Sequence, residues 1–373
     1  MENVFKRLSN WWEGGNLGRP AILFSIPKPN KKIFLVDPFY VNNSRNPDIT
    51  IIDLNKYWTS TKSEPDFDGL IEVVREDINT NYYFGEAVPF MYHQWGRRGT
   101  PMTMAAYLGG KVKFLDDTVW VNPVIDDYRK FELHLDENNI WLKRSLELFE
   151  KAVEKSNGEY LPALPDFGDA LTVLSLLRGT ERLLMDLIEN KEAVLEFRNR
   201  FTELFPRFHK KFWDIFRQKF PGDISWRVWT PGKTYLCQCD FSTMIPPEMF
   251  EEFVVPEIEV LGKYLDYCVW HLDGPDEIRH LDILLDLPEI KAIQWQPGAG
   301  APPAASPQWL PMLKKIQKKG KNLTVYANNE EELRILLKEL SSKGLLIIVR
   351  GFTGKTEKEA LELMDMISKL SKR

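Results

Sequence analysis

The chain has 373 residues, a formal net charge of −5 and a sequence pI near 5.8. Its basic residues are scattered and mixed with acidic ones, which excludes the concentrated positive charge that binding to nucleic acid requires. No apolar run is long enough to span a bilayer. The three cysteines, Cys237, Cys239 and Cys268, are too few for a disulfide framework in a chain of this length. We therefore expect a cytoplasmic protein with reduced thiols and with no membrane or nucleic acid partner.

Short apolar runs alternate with amphipathic helical segments along the chain. Such alternation predicts a parallel sheet whose strands are buried between helices. Counted from the amino terminus, eight runs have the character of buried strands, and eight parallel strands close a barrel. The eight runs are residues 21–26, 88–92, 160–164, 235–239, 267–270, 291–295, 323–326 and 345–349.

The fold class that this pattern predicts is α/β, a (β/α)8 TIM barrel, with residues 1–373 forming one domain. Residues 1–80 are interpreted as an N-terminal extension, and glycine-containing turns in residues 96–125 predict an inserted hairpin. A long helical region from residue 169 to about residue 220 is expected to break near Gly179 and Asn190. An open doubly wound sheet is the alternative, although no glycine-rich dinucleotide-binding fingerprint follows the first strand.

The fifth strand ends on the most informative pair of residues, His271 and Asp273. Because side chains alternate across a strand, both should share one face and point into the same space. A carboxylate near an imidazole favours the protonated ring, and the pair could act in acid–base chemistry or as a weak metal pair. The alternative is a hydrogen-bonded core histidine next to an aspartate that caps the following helix.

Polar residues also follow the other predicted strands, and in a barrel these ends meet at one mouth where active sites lie. Core packing alone does not select such residues, because buried polar groups must find partners. We expect Asp240 and Tyr326 to assist His271 and Asp273 in catalysis. The predicted substrate-binding residues are Arg350, Gln294, Gln296, Asp166 and His93, with Trp120 and Trp295 able to stack on a flat ligand.

Three stretches resemble a known superfamily. They are LLRGTERLLMDL at residues 176–187 with Asn190, Lys191 and Glu192 after it, Asp240 followed by IPPEMFEEFVVP at residues 245–256, and YLGG at residues 107–110 with the hairpin to Trp120. They are similar to the uroporphyrinogen decarboxylase superfamily, which also contains corrinoid-dependent and zinc-dependent methyltransferases. The resemblance covers most of the chain after residue 80 and implies a (β/α)8 barrel, in agreement with the strand count.

This chain departs from the superfamily at two functional motifs. Decarboxylases of the superfamily hold substrate carboxylates with an arginine-rich motif after the first strand, where this chain has SIPKPN at residues 25–30. The methyltransferases bind zinc through a His-x-Cys at the fifth strand and a further cysteine near the eighth. Here Asp273 takes the place of the first cysteine, and residues 350–354 contain none. If His271 and Asp273 bind a metal, the site is harder and weaker than a thiolate site.

The resemblance implies an enzyme of the methyltransferase branch, or a close derivative, acting on a small polar or acidic substrate at the C-terminal mouth of the barrel. A decarboxylase or lyase that needs no metal is one alternative. A non-catalytic barrel that binds a corrinoid or another ligand is the other. The cofactor is left open between a weakly bound divalent metal and a corrinoid carried by a partner protein.

Overall fold

In the computed structural model, strands and helices alternate as the apolar pattern predicts. The structure describes residues 1–29, 33–35, 49–51, 55–58, 64–93, 95, 102–115, 119–350 and 356–371. No helix within these residues is both long enough and apolar enough to cross a membrane.

The strands of the described residues are β1 (Ala21–Pro27), β2 (Ile33–Leu35), β3 (Ile49–Ile51), β4 (Asn81–Gly85), β5 (Phe90–Met91), β6 (Lys111–Phe114), β7 (Val119–Asn122), β8 (Leu161–Pro162), β9 (Asp223–Ser225), β10 (Val228–Thr230), β11 (Thr234–Cys237), β12 (Tyr267–Asp273), β13 (Ile290–Gln296), β14 (Asn322–Ala327) and β15 (Leu345–Val349). The α-helices are α1 (Glu2–Trp12), α2 (Asn55–Trp58), α3 (Phe67–Asn79), α4 (Thr103–Tyr107), α5 (Ile140–Lys155), α6 (Ala170–Arg178), α7 (Thr180–Glu189), α8 (Lys191–Phe216), α9 (Pro247–Phe253), α10 (Val255–Tyr264), α11 (Leu281–Asp286), α12 (Leu310–Lys318), α13 (Glu330–Glu339) and α14 (Glu357–Leu370). Short 3-10 helices cover Tyr128–Lys130, Asp240–Met244 and Pro275–His280.

A seven-stranded sheet in the order β11-β12-β13-β14-β15-β1-β4 forms the centre of the protein. Its first six strands are parallel, and β4 is antiparallel to β1. All eight predicted strands are present, and six of them belong to this sheet. The other two, β5 and β8, form a separate parallel pair, so the hydrogen-bonded ladder does not close through the strands that the structure describes. The architecture is therefore mixed α/β with a central, mainly parallel sheet.

Sequence patterns located the helix boundaries of the middle region well. The helical region breaks at Gly179, whose φ of 98° separates α6 from α7, and at Asn190, which separates α7 from α8. The left-handed φ at the first break explains why a glycine occupies it. The predicted hairpin is also present, because β6 and β7 pair antiparallel.

The N-terminal helix α1 anchors the amino terminus to the central sheet. The Trp11 indole Nε1 donates a hydrogen bond to the carbonyl of Leu345 at 3.1 Å, and Trp12 Nε1 donates to the carbonyl of Trp229 at 3.0 Å. Both indole rings are buried, so each of these bonds satisfies a donor that water cannot reach. Together with β1, this helix shows that residues within the segment 1–80 contribute to the main core.

Candidate active site at the strand ends

The candidate active site lies where β12 and β13 end side by side. Their register places His271 opposite Gln294 and Asp273 opposite Gln296. Side chains alternate across each strand, so these four residues share one face, as the sequence predicts. The predicted apolar run stops at residue 270, whereas β12 extends through Asp273.

His271 and Gln294 form a buried hydrogen-bonded pair. The Nδ1 atom of His271 contacts Oε1 of Gln294, and the two residues are only 5% and 4% exposed. Because Oε1 is an acceptor, this contact requires the proton on Nδ1 and leaves Nε2 as an unprotonated base. Burial lowers the pKa of His271, although the charge of Asp273 and the bond to Gln294 oppose this effect. Asp273 therefore favours the protonated ring, as predicted, but the loss of hydration outweighs its charge and the net pKa of His271 is lowered.

The indole of Trp226 lies against His271. The two ring centroids are 4.9 Å apart, with an interplanar angle of 52°. Trp226 occupies the turn between β9 and β10 and has a φ of 54°, in the left-handed region that a bulky residue rarely adopts. Its contact with His271 depends on a hairpin of two three-residue strands, which the apolar pattern did not predict.

A second group of polar side chains surrounds Asp166. The Tyr235 hydroxyl donates to Oδ1 of Asp166 at 3.0 Å, and Gln238 Nε2 donates to the same atom at 3.0 Å. The backbone N–H of Gly168 donates to the Tyr235 oxygen at 2.8 Å. Burial raises the pKa of Asp166 to about 6 despite these hydrogen bonds. The sequence predicted a site role for Asp166 but none for Tyr235. The side chain of Tyr235 lies on the face of β11 opposite to that of Gln238.

Asp240 has the electrostatic properties of a proton donor at neutral pH. It begins the 3-10 helix that follows β11 and is exposed to solvent, yet protein surrounds it on most sides. Partial burial has the largest effect on the pKa of Asp240, and the negative charges of Asp169, Asp166 and Asp273 add to it. Together they raise this pKa to about 7. A carboxyl with this pKa is about half protonated at neutral pH. Asp273 raises the pKa of His271 as well, which places its charge within range of both groups.

Glu277 holds the backbone of Asp273 in place by a hydrogen bond. The backbone N–H of Asp273 donates to Oε2 of Glu277 at 3.0 Å, and the Ser242 hydroxyl donates to Oε1 at 3.3 Å. Glu277 is buried, and burial raises its pKa well above the usual range of a glutamate. Asp240 and Asp273 add to this increase. The site is therefore rich in carboxyl groups that burial and mutual repulsion keep protonated at higher pH than usual.

Arg350 and Tyr326 meet at the ends of β14 and β15. The Arg350 guanidinium lies 3.5 Å from the centroid of the Tyr326 ring, a cation–π contact. Tyr326 is 4% exposed, and Arg350 is partly buried. Residues 351–355 lie outside the described residues, and a capping box between Thr356 and Glu359 begins α14.

Three of the predicted substrate-binding residues lie in surroundings of other kinds. His93 packs against the rings of Phe149 and Phe212 in the helical layer, and burial lowers its pKa to about 3. Trp295 is fully buried with its ring centroid 5.2 Å from that of Trp309, so it cannot stack on a ligand as predicted. Trp120 lies in the β6–β7 hairpin and is 53% exposed. His93 and Trp295 are therefore core residues here.

The described residues contain no group of three or more His, Cys, Asp or Glu side chains placed to hold a metal ion. His271 and Asp273 thus lack a third ligand of these types within that part of the chain. All three cysteines are buried and reduced. The Sγ atoms of Cys237 and Cys268 are 3.3 Å apart, on strand faces opposite to those of Gln238 and His271, as strand alternation predicts.

The arrangement defines a mixed α/β protein with a polar site at the carboxyl ends of parallel strands. No model of a known protein family matches the sequence, and no curated protein matches it. The structure is similar to that of a methyltransferase from Methanosarcina mazei, with a TM-score of 0.59 and 11% sequence identity over 98% of each chain. At this identity the similarity establishes a common fold, and the chemistry must be argued from the site.

Proposed function

We propose that this protein is an enzyme of the methyltransferase kind that acts on a small polar or acidic substrate at the carboxyl ends of its parallel strands. The observation that carries the proposal is one acid–base arrangement. The pKa of His271 is lowered and its Nε2 has no hydrogen bond within the described residues, while the pKa of Asp240 is about 7. A base and an acid that are both competent near neutral pH are what proton transfer during group transfer requires.

We also propose that the strands form a (β/α)8 barrel of the uroporphyrinogen decarboxylase type. The β9–β10 hairpin supports closure between β8 and β11. The N–H of Leu164 donates to the Ile224 carbonyl at 3.3 Å, and the N–H of Leu236 donates to Ser225 Oγ at 3.0 Å. The hairpin therefore bridges the two strands where the regular ladder is interrupted. In a barrel, the site residues occupy the mouth where catalysis takes place in this class of fold.

Asp240 and His271 carry out the proton transfers that accompany methyl transfer. A new bond forms between the methyl carbon and the acceptor atom, while the bond to the donor atom breaks and leaves its electron pair on that atom. Protonated Asp240 gives its proton to the departing donor atom. His271 Nε2 takes the proton that a protic acceptor releases, and Gln294 holds the imidazole in the required tautomer.

Neither cofactor that the resemblance implies takes part in these steps. Zinc does not fit, because His271 and Asp273 are two ligands without a third in the described residues. The cavity lined by Gln294 and Trp226 offers the centre of a water molecule only about 30 Å³, so a corrinoid ring cannot enter it. A corrinoid would have to be presented at the strand ends by a partner protein.

A metal-free decarboxylase or lyase is the second candidate. The raised pKa of Asp240 favours it, because protonation of a carbanion after loss of carbon dioxide needs a neutral acid near the substrate. This reaction would require an anion-binding group, and Arg350 beside Tyr326 is the candidate.

A turnover screen tests the proposal. The wild-type protein is incubated with methylated alcohols, amines, phenolic ethers and carboxylates, with a corrinoid or thiol as methyl acceptor, and with carboxylates alone. Turnover with a methyl donor that falls by ~10²-fold in His271→Asn supports the methyltransferase reaction. Asn can still hydrogen bond to Gln294, so folding is retained better than with Ala. Release of carbon dioxide without methyl transfer supports the second candidate. Tight ligand binding with no turnover favours a non-catalytic barrel.

A further inference from the structure

A cavity lies on the amino-terminal side of the His271–Gln294 pair, between strands of the central sheet and the β9–β10 hairpin. Its described walls include Trp226, Leu236, Val269, Tyr326 and Ile348, with Gln294 at the end nearest His271. Leu236 and Val269 are directly opposite each other on β11 and β12, and Val269 precedes His271 by two residues. The cavity thus continues the candidate site inward along the same strand faces.

Gln294 presents an unsatisfied polar atom to this cavity. The residue is 4% exposed, its Oε1 contacts His271, and its Nε2 has no hydrogen-bond partner among the described residues. Because the Nδ1–H tautomer of His271 makes Oε1 the acceptor, the unpaired atom of Gln294 is the amide nitrogen, a donor. A buried polar atom without a partner costs free energy comparable to a lost hydrogen bond. A ligand that accepts a hydrogen bond from Gln294 would recover this free energy.

The size of the cavity limits what can bind there. The space open to the centre of a water molecule is about 30 Å³, and one water needs roughly 10–15 Å³ on this measure. Two or three non-hydrogen atoms therefore fit, and an aromatic ring does not. The walls formed by Val269, Leu236 and Ile348 are apolar, so the carbon part of a small ligand can contact them.

The hydrogen-bonding groups of the cavity select among small ligands. The unpaired Nε2 of Gln294 is a donor, so it pairs with an oxygen atom and cannot pair with an ammonium group, which has only donors. None of the described lining residues is acidic, so these residues offer no carboxylate to an ammonium group.

We propose that this cavity is a substrate subsite for an oxygen-bearing group of two or three non-hydrogen atoms, such as a short alcohol or carboxylate. Its oxygen accepts a hydrogen bond from Gln294, and its carbon contacts the apolar walls next to the indole of Trp226. Since Trp226 and Gln294 both contact His271, the bound group lies beside the imidazole. This inference rests on the proposed function for its role in turnover, and it gives that site a preference for oxygen substrates over amines.

Saturation-transfer NMR on the wild-type protein tests the subsite with methanol, formate and methylammonium as probes. Ligands with so few atoms bind in the ~millimolar range or more weakly. We expect saturable binding of methanol or formate and none of methylammonium at equal concentration. Methylammonium binding as strong as that of the oxygen probes would overturn the proposal. So would the absence of saturable binding of both oxygen probes to the folded protein.

Two variants from different walls localise the binding. Ile348→Phe fills the cavity and should abolish the signal, and Gln294→Leu removes the hydrogen bond and should weaken binding by ~10-fold. Ile347→Val, on the opposite face of the same strand, is the matched control and should bind as the wild type does. Thermal melts verify that each variant is folded. Oxygen-probe binding that persists in folded Ile348→Phe would place the ligand elsewhere and overturn the proposal. Because binding is read without turnover, an inactive protein that still binds formate contradicts the proposed function alone.

Discussion

Asp240 is the residue at which function and stability oppose each other. Its pKa rises from an ordinary 3.8 to about 7 on folding, so the folded state binds the proton more tightly than the unfolded state does. The free energy of unfolding therefore falls as pH rises from about 4 to about 7 and stays reduced above that range. For a fully buried carboxyl with this pKa, ionisation would lower the free energy of unfolding by about 4 kcal/mol. The exposure of Asp240 reduces the expected loss to roughly 1 kcal/mol.

Asp240→Asn should remove this loss. We expect the variant to gain stability relative to the wild type by roughly 1 kcal/mol between pH 4.5 and pH 8, measured by urea unfolding at both pH values. Asp126→Asn is the control, because Asp126 is highly exposed in an ion pair with Arg182. A stability difference between Asp240→Asn and the wild type that is independent of pH would show that Asp240 ionises normally.

Arg350 should matter to the binding of anionic substrates. Its guanidinium stacks on Tyr326 at the ends of two neighbouring strands, and a charge-assisted hydrogen bond to a carboxylate is worth ~1.5–3 kcal/mol. Arg350→Ala is therefore expected to raise the KM of an acidic substrate by at least ~10-fold. Arg334→Ala, which breaks an exposed ion pair with Glu330 on α13, should leave KM unchanged. The anion role is lost if KM is the same in folded Arg350→Ala for every active substrate.

Single residues also show where sequence reasoning reached its limit. Strand alternation places Trp295 on the face opposite to Gln294 and Gln296, so its burial could have been inferred from the same pattern that identified the two glutamines. His93 could not be assigned in this way, because β5 is only two residues long and gives no alternation to extend. The convergence of Asp166 and Asp240 depends on how distant strands pack, which local periodicity does not contain.

At the scale of elements, apolar runs predicted all eight strands because most of their residues are buried on both faces. The β9–β10 hairpin was missed for the opposite reason. Its strands have three residues each, too few to show a period, and its turn places Trp226 in a conformation that sequence gives no reason to expect. Yet this hairpin supplies the ring that contacts His271 and a wall of the cavity.

Two substitutions at Trp226 separate backbone strain from the ring contact. Trp226→Ala and Trp226→Gly both remove the indole, so both should lower kcat/KM to a similar extent. Glycine tolerates a φ of 54° at no steric cost, and we expect the Gly variant to be more stable than the Ala variant by ~1 kcal/mol. Thermal unfolding beside kinetics makes the comparison. Equal stability of the two variants would show that the turn relaxes once the indole is removed.

At the scale of the whole molecule, strand ends bring many carboxyl groups together without forming a cluster of metal ligands in the described residues. An imidazole and one carboxylate form a harder and weaker zinc site than two thiolates and an imidazole. We expect elemental analysis after dialysis against EDTA to find well below one zinc per chain. A content of about one zinc per chain that survives dialysis would contradict the acid–base account of His271 and Asp240.

The most direct test of that account is the pH dependence of kcat/KM for the best substrate of the turnover screen, in the wild type and in Asp240→Asn. If Asp240 is the acid, wild-type kcat/KM falls as pH rises through about 7, because the required proton is lost. Asp240→Asn should then lower kcat/KM by ~10²-fold at pH 6 and abolish this decline. A variant that retains both the wild-type rate and the decline near pH 7 would contradict the assignment of Asp240 as the acid.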